Sequence, residues 1–307
     1  MRIRDLHELP KFRDGLSYLY LEHCRIDQSE NAIACRDLEG LVKIPCASLS
    51  LIMLGPGTSI THEAIKTIAD NGCLVIWCGE EGVRFYAHGS GETRSSRRLL
   101  FQAEMCIDPI KRLEVVKRMY QIRFKGEEID GLTVDELRGK EGIRVRGAYY
   151  RASKKYGVEW YGRNYERKNW SNADPVNRAL SAANSCLYGL CHAAIVSLGY
   201  SPGLGFIHTG KQLSFVYDVA DLYKTDLCIP IAFEKAVNPG PTLERDVRIR
   251  MRDLIRENHL LSRIVDDIET ILDIGDDEEL SENDYDSDAA LPGPLWNYES
   301  VKTGKPC

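Results

Sequence analysis

The feature that most restricts what this chain can fold into is a change in the spacing of its apolar residues across Gly89-Ser-Gly-Glu-Thr-Arg-Ser-Ser96. Upstream, apolar side chains come in short runs suited to strands: Leu16 to Leu21, Leu41 to Ile44, Leu49 to Leu54, Cys73 to Cys78 and Val83 to Ala87. Glu39-Gly40, Gly55-Pro-Gly57 and Gly79-Glu-Glu-Gly82 mark turns between them. One short helix interrupts the series, from an N-cap at Thr61 through Ala64, Ile65 and Ile68 to Gly72. Downstream the apolar period becomes that of a helix. A helical pattern covers Leu99 to Phe124, and Asp174-Pro175 opens another helix with a capping side chain followed by proline at the first position. That helix carries Val176, Leu180, Ala183, Leu187, Leu190, Ala194 and Leu198 on one face and stops at Gly199. The pattern predicts an α+β chain: an N-terminal β-rich domain over 1–88, a link over 89–96 and a larger all-α domain over 97–275. An acidic tail over 276–307, with Pro292, Gly293 and Pro294, is poorly suited to pack alone.

With 307 residues, 43% of them hydrophobic, the chain can furnish two modest cores. Its first residues carry Arg2, Arg4, Asp5 and Glu8 with no apolar signal region, and no stretch reads as membrane-spanning, so a cytoplasmic location with no membrane partner is expected. Ten cysteines lie between Cys24 and Cys307 without a CxxC pair, several within apolar runs, which predicts mostly buried free thiols and disfavours zinc. The net charge of −6 hides a strong asymmetry, because Asp266 to Asp288 holds twelve acidic residues and no Lys or Arg, leaving +6 for the rest. Residues 84–168 carry 20 Lys/Arg against 12 Asp/Glu. A phosphate-binding body beside a separate interaction tail fits this division, as does an ordinary solvated surface.

Three segments carry candidate chemistry. Gly205-Phe-Ile-His208-Thr-Gly-Lys211-Gln212 follows a phosphate-cradling loop as far as the lysine and then fails, because Gln212 stands where Ser or Thr would ligate Mg²⁺ and no strand precedes it. His208 instead precedes the helical run Leu213 to Tyr223, where Asp218 and Asp221, three residues apart, share a face. Two carboxylates beside an apolar stripe require a cation or a basic partner, and simple Arg pairing is a competing explanation. Glu141, in Leu137-Arg-Gly-Lys-Glu141-Gly-Ile-Arg144, lies near the expected start of a helix and equally fits a surface pair with Arg138 or Arg144. Together Glu141, His208, Asp218 and Asp221 form an oxygen-rich set with one imidazole, better matched to Mg²⁺ or Mn²⁺ than to zinc. Arg245, Arg248, Arg252 and Arg256 recur at +3, +4 and +4 and build a guanidinium stripe able to track phosphates, with Glu244, Asp246 and Asp253 available to neutralise part of it. Tyr149, Tyr150, Trp160, Tyr161, Tyr165, Trp170, Tyr188 and Tyr217 lie among basic residues, where base stacking and core packing both suit them.

Arg138-Gly-Lys-Glu141-Gly, Tyr188-Gly189, the His208 loop and Leu213 to Asp221 together resemble the CRISPR-associated adaptation integrase, the first Cas protein, of the type I-E branch. The resemblance runs from about Leu16 to Asp273. It implies an N-terminal β-domain and a C-terminal helical domain, with Glu141, His208 and Asp221 binding Mg²⁺ or Mn²⁺ and Asp218 close by. It also implies that Arg84, Tyr165, Trp170, Tyr188, Lys211, Tyr217, Arg245 and Arg248 hold DNA. The implied assembly is a homodimer, two of which join a dimer of the second Cas adaptation protein in a heterohexamer. The implied substrates are double-stranded DNA with 3′ single-stranded ends and CRISPR repeat DNA, joined by attack of a 3′-hydroxyl on a phosphodiester. A structure-selective endonuclease on branched DNA and a non-catalytic DNA scaffold are the alternatives. The sequence departs from the type I-E pattern at Glu22-His23-Cys24, where relatives have a tyrosine that splays duplex ends and this chain offers His23.

Overall fold

The computed structural model describes residues 18–30, 32–38, 40–46, 49, 51–79, 85–91, 96–129, 131–163 and 174–273. Arg84, Tyr165, Trp170 and the tail over 276–307 lie outside the described residues. The N-terminal part contains β1 (Tyr18–Leu21), β2 (Arg25–Ser29), β3 (Ala32–Arg36), β4 (Leu41–Ile44), β5 (Leu51–Leu54), β6 (Ser59–Ile60), α1 (His62–Asp70), β7 (Leu74–Cys78) and β8 (Phe85–Gly89). They form two four-stranded sheets, ordered β1-β5-β7-β8 and β4-β3-β2-β6. In the first sheet β1, β5 and β7 run parallel and β8 is antiparallel to β7.

Side-chain alternation along β5 and β7 explains how this part joins the rest. Ile52, Leu54 and Val75 face a small core with Ile26, Ile33, Ala64 and Ile68, between the sheets and α1. Leu51, Met53, Leu74 and Ile76 face the opposite way, into the core shared with the helices. Both faces of these strands are therefore apolar, as in a sheet covered on both sides. The hairpin of β2 and β3 escaped the sequence reading because β2 offers a single buried apolar residue, Ile26, among Arg25, Asp27, Gln28 and Ser29, and so carries no apolar run to read.

The remainder is helical: α2 (Arg97–Ile107), α3 (Pro109–Arg123), α4 (Val134–Tyr156), α5 (Pro175–Ser197), α6 (Ser214–Ala220), α7 (Cys228–Ala236), α8 (Leu243–Glu257) and α9 (Leu260–Leu272). The expected α+β class, β-rich first and helical after, is what the fold shows. The single helical pattern over Leu99 to Phe124 is in fact two helices. Asp108 caps the second of them, accepting from the N–H groups of Ile110 and Lys111 at 2.8 and 3.1 Å, with Pro109 at its first position. The helix carrying Glu141 begins earlier than expected, at a reciprocal capping box of Thr133 and Glu136. The central helix α5 is nearly all buried, packed by α6, α7, α8 and α9. Among the described residues it is the one helix long and apolar enough to cross a membrane, and 78% of its apolar window is buried inside the protein. The nine described cysteines are free thiols, and all but Cys106 are buried, as their apolar settings predicted.

His192 of α5 stacks on Phe85 of β8, ring centroids 3.5 Å apart, and so sits at the joint between sheet and helices. Burial, with a smaller contribution from His88, depresses its pKa from 6.5 to about 4. In this window the unfolded chain binds the proton and the folded chain does not, so stability from the neutral ring is complete above pH 6.5 and is lost as pH falls towards 4. Thermal melts across that range should therefore decline more steeply for the parent protein than for His192→Leu. Parallel declines would show that this joint does not control acid sensitivity.

Candidate functional site

The site is built on the loop between α5 and α6. Gly199, with φ +84°, ends the α5 segment, and the chain then passes through residues 200–213 with no strand before His208, which removes the nucleotide-loop reading. Two helices from the other side of the core clamp this loop. The fully buried Gln102 of α2 donates to the carbonyls of Ser201 and Leu204 at 3.0 and 2.9 Å and accepts from the Ser201 N–H at 2.7 Å. Arg112 of α3 donates two hydrogen bonds to the Phe206 carbonyl, at 2.9 and 2.7 Å.

Asp218, entirely buried in α6, closes the arrangement. Its Oδ2 accepts from the backbone N–H groups of Phe206 and Ile207 at 2.6 and 3.0 Å, and its Oδ1 accepts from the His208 N–H at 2.9 Å. The same Oδ1 lies 2.7 Å from His208 Nδ1. Asp218 is thus a positioning residue with both oxygens in use, whereas Asp221, one turn on at the end of α6, is partly exposed. The His208 pKa is raised chiefly by the hydrogen bond to Asp218, against the opposing effect of burial. His208 Nε2 lies 3.9 Å from Asp221 Oδ2.

Cations surround Asp221. Lys224 Nζ lies 2.5 Å from its Oδ1 and 4.8 Å from the Tyr188 ring centroid, and the buried Arg123 of α3 reaches to 3.8 Å of its Oδ2. Burial pulls the Lys224 pKa down, but Asp221 and Tyr188 outweigh it and the net shift is upward. Glu141 projects from α4 towards the same cation cluster. Burial raises its pKa while Arg123 and Arg144 lower it, and its Oε2 is buried with no hydrogen-bond partner. Arg144 stands 3.7 Å from its other oxygen, which bears out part of the expected surface pairing, whereas Arg138 pairs with Asp135.

Of the remaining candidates, Tyr188 and Tyr217 meet edge to face at 5.1 Å, and Tyr217 packs in the same manner on His208 at 5.9 Å. Lys211 is exposed in the loop. Arg245, Arg248 and Arg252 lie on α8, away from the loop. There Asp253 pairs with Arg252 and neutralises that part of the stripe, whereas Glu244 is engaged by Arg178 of α5. The sequence reading missed Arg123, Lys224, Gln102 and Arg112. Lys224 was accessible in principle, three residues after Asp221, but the others come from helices about a hundred residues away.

Glu141, His208 and Asp221 offer hard oxygens and one imidazole nitrogen, and the orphaned Glu141 oxygen needs a positive partner, so the donors suit a divalent cation. Among the described residues no three such side chains are already gathered closely enough to hold an ion. Lys224 bonds Oδ1 of Asp221, which leaves Oδ2, 3.9 Å from His208 Nε2, as the oxygen nearest the imidazole.

Comparison with known proteins decides the family. The model for CRISPR associated protein Cas1 matches residues 17–128 and 125–238. The chain belongs to this family. It is 52% identical over 302 residues to CRISPR-associated endonuclease Cas1 2 of Thermus thermophilus, covering 98% of this chain and 92% of that protein. It is 41% identical over 292 residues to CRISPR-associated endonuclease Cas1 of Escherichia coli, covering 94% and 95% respectively. A solved TtCas1-DNA complex matches with a TM-score of 0.79 and 55% identity, covering 86% of this chain and 99% of that one. The resemblance drawn from the Glu141, His208 and Asp221 motifs is borne out at the level of the family.

Gly205 sets the approach of the loop to α6: a Cβ there would stand 2.3 Å from the His208 carbonyl oxygen and 2.7 Å from Ser214 Cβ. Gly205→Ala should therefore cost about 1–3 kcal/mol of stability and displace His208. A melt within 1 °C of the parent (about 0.3 kcal/mol or less) would show that the loop has slack.

Proposed function

We propose that this protein is a divalent-metal-dependent DNA integrase of CRISPR adaptation, joining the 3′-hydroxyl ends of captured DNA to a CRISPR repeat by transesterification. The observation that carries the reading is the buried, unpartnered Oε2 of Glu141 beside the cation cluster that also serves Asp221 and the fixed imidazole of His208. Glu141, His208 and Asp221 would hold Mg²⁺ or Mn²⁺, which when bound supplies charge neutralisation at the phosphodiester under attack. Asp218 holds the His208 ring so that Nε2 is presented to the site. Arg123 and Arg144 sit where negative charge accumulates in a phosphoryl transfer and need not reorganise to meet it. A nucleophile supplied by DNA leaves the protein needing no covalent serine, cysteine or tyrosine. With water as nucleophile the same residues give a nuclease, a second outcome favoured by the relatives' description as endonucleases.

The similarity to a protein solved with DNA supports a DNA substrate. Tyr188, Tyr217 and Lys211 border the site and would position the strand. Arg84, Tyr165, Trp170, Arg245, Arg248 and Arg252 complete the DNA-contacting set of this reading. The assembly is a homodimer joined to the second Cas adaptation protein in a heterohexamer, acting in the cytoplasm. The 1–88, 97–275 and 276–307 divisions serve as β-domain, catalytic domain and interaction tail.

The test mixes the protein and its second Cas partner with Mg²⁺ or Mn²⁺, a short duplex with 3′-hydroxyl single-stranded ends and a supercoiled plasmid carrying the repeat. Joined products should appear with the parent. Asp221→Ala, His208→Ala and Glu141→Ala should each lower joining on the order of 100-fold or more with DNA affinity nearly unchanged. Metal-dependent cutting without joining would replace integrase by nuclease, and full activity in these variants would remove the site. Asp218→Asn should lose about 10–100-fold through misplacement of His208 alone.

A further inference from the structure

On the far side of Arg144 from Glu141 lies a cavity of about 340 Å³ between α4 and the segment leading into α7. Its α4 wall is formed by residues 144, 148, 151, 152 and 155, which fall on one helix face. Ala148 and Ala152 are buried and make a low floor, with Arg144, Arg151 and Lys155 standing around it. Thr225 and Asp226 form the opposite side. Asp226 is the one carboxylate in the lining, and its side chain is 73% exposed.

The three cations are underused. Arg144 lies 3.7 Å from Glu141 Oε1 and 3.6 Å from Asp226 Oδ1, both ion pairs beyond hydrogen-bond distance, and its buried Nη1 has no hydrogen-bond partner. Among the described residues no carboxylate pairs with Arg151 or Lys155, and Lys155 Nζ rests over the Tyr156 ring at 5.1 Å. Arg151 Nη1 lies over Gly147, where a Cβ would be only 3.0 Å away, so the glycine gives the guanidinium room along the helix.

We infer that this cavity is a phosphate-binding subsite for the DNA strand that passes Glu141, with Arg144, Arg151 and Lys155 engaging successive backbone phosphates. The inference rests on the DNA-joining reading above. Residues 144 and 155 are separated by about 16 Å along α4, too far for one phosphate to satisfy both, so the ligand is a polyanion rather than a nucleotide. Arg144 borders both Glu141 and the cavity, so the cavity adjoins the site. Tyr156, the one aromatic in the lining, has the Lys155 ammonium over its ring, so the lining presents cations and not an open apolar anchor of the kind a protein partner's hot spot uses. A DNA backbone therefore fits better than an acidic protein segment.

The experiment measures binding of a fluorescent duplex with 3′ single-stranded ends to the full-length protein in EDTA, across a series of salt concentrations. Arg151→Ala/Lys155→Ala is compared with the parent and with Arg151→Lys/Lys155→Arg, after melts establish that each is folded. Removing two phosphate contacts should lower the log–log salt slope by about 1.4 for single-stranded contacts or about 1.8 for duplex contacts, and the charge-preserving variant should keep the parent's slope. An unchanged slope in the double alanine variant overturns the inference. An unchanged slope with loss of binding to the second Cas protein would assign the cavity to protein docking instead. Joining and cutting assays run in parallel separate the two failures: an active parent with an unchanged variant slope sinks only the subsite, whereas an inactive parent sinks the underlying function as well.

Discussion

The buried carboxylate of Asp218 is the interaction on which the site depends. An ion removed from water carries a penalty of several kcal/mol unless its lone pairs are met. Here both oxygens are met twice, by three consecutive amides and one imidazole nitrogen. Three successive N–H groups can converge on one carboxylate only if the backbone over 206–208 curls around it, so a single side chain fixes the shape of the loop. The same bond orients the imidazole. An ionised carboxylate accepts from Nδ1–H, which leaves Nε2 as the nitrogen directed at Asp221 and available as a ligand when the ring is neutral.

That loop needs a rigid support, and the two-faced strands β5 and β7 supply one. Because alternate residues enter different cores, shifting either strand by one residue would put each side chain into the wrong core. The sheet is thereby locked to α5, which leads into the loop, and α2 delivers Gln102 to that loop. Gln102 satisfies two carbonyls and one N–H that would otherwise be left unpaired in a buried turn. The position of His208 thus depends on packing that starts in the β-rich part.

Much of this was legible in the sequence, though not evenly. The change of apolar period separated the sheets from the helices, because burial imposes those periods directly. The Asp174-Pro175 start was readable because capping is local, and the equivalent Asp108-Pro109 signal was lost inside a longer apolar repeat that continues through the break. The spacing of Asp218 and Asp221 placed both on one face of α6. It did not divide their roles, since that depends on which carboxylate the 206–208 backbone reaches. Glu141 was legible as an acid among basic residues. Its burial, and the Arg123 charge that α3 brings near it, depend on tertiary packing and are invisible to spacing.

The cations around Asp221 and Glu141 resolve an electrostatic conflict that the sequence poses without answering. Two carboxylates close together repel one another, and without compensation the site would open or take up protons. Arg123 supplies a fixed positive charge that does not depend on an ion, since it is buried and bonded to the Asp218 carbonyl at 3.3 Å. Lys224 supplies a movable one: its long side chain reaches Asp221 over one helical turn and rests on the Tyr188 ring. Lys224 takes Oδ1 of Asp221 and Arg123 stands 3.8 Å from Oδ2, so both oxygens have positive charge nearby. These basic side chains, held by the core, offset the carboxylates without an ion.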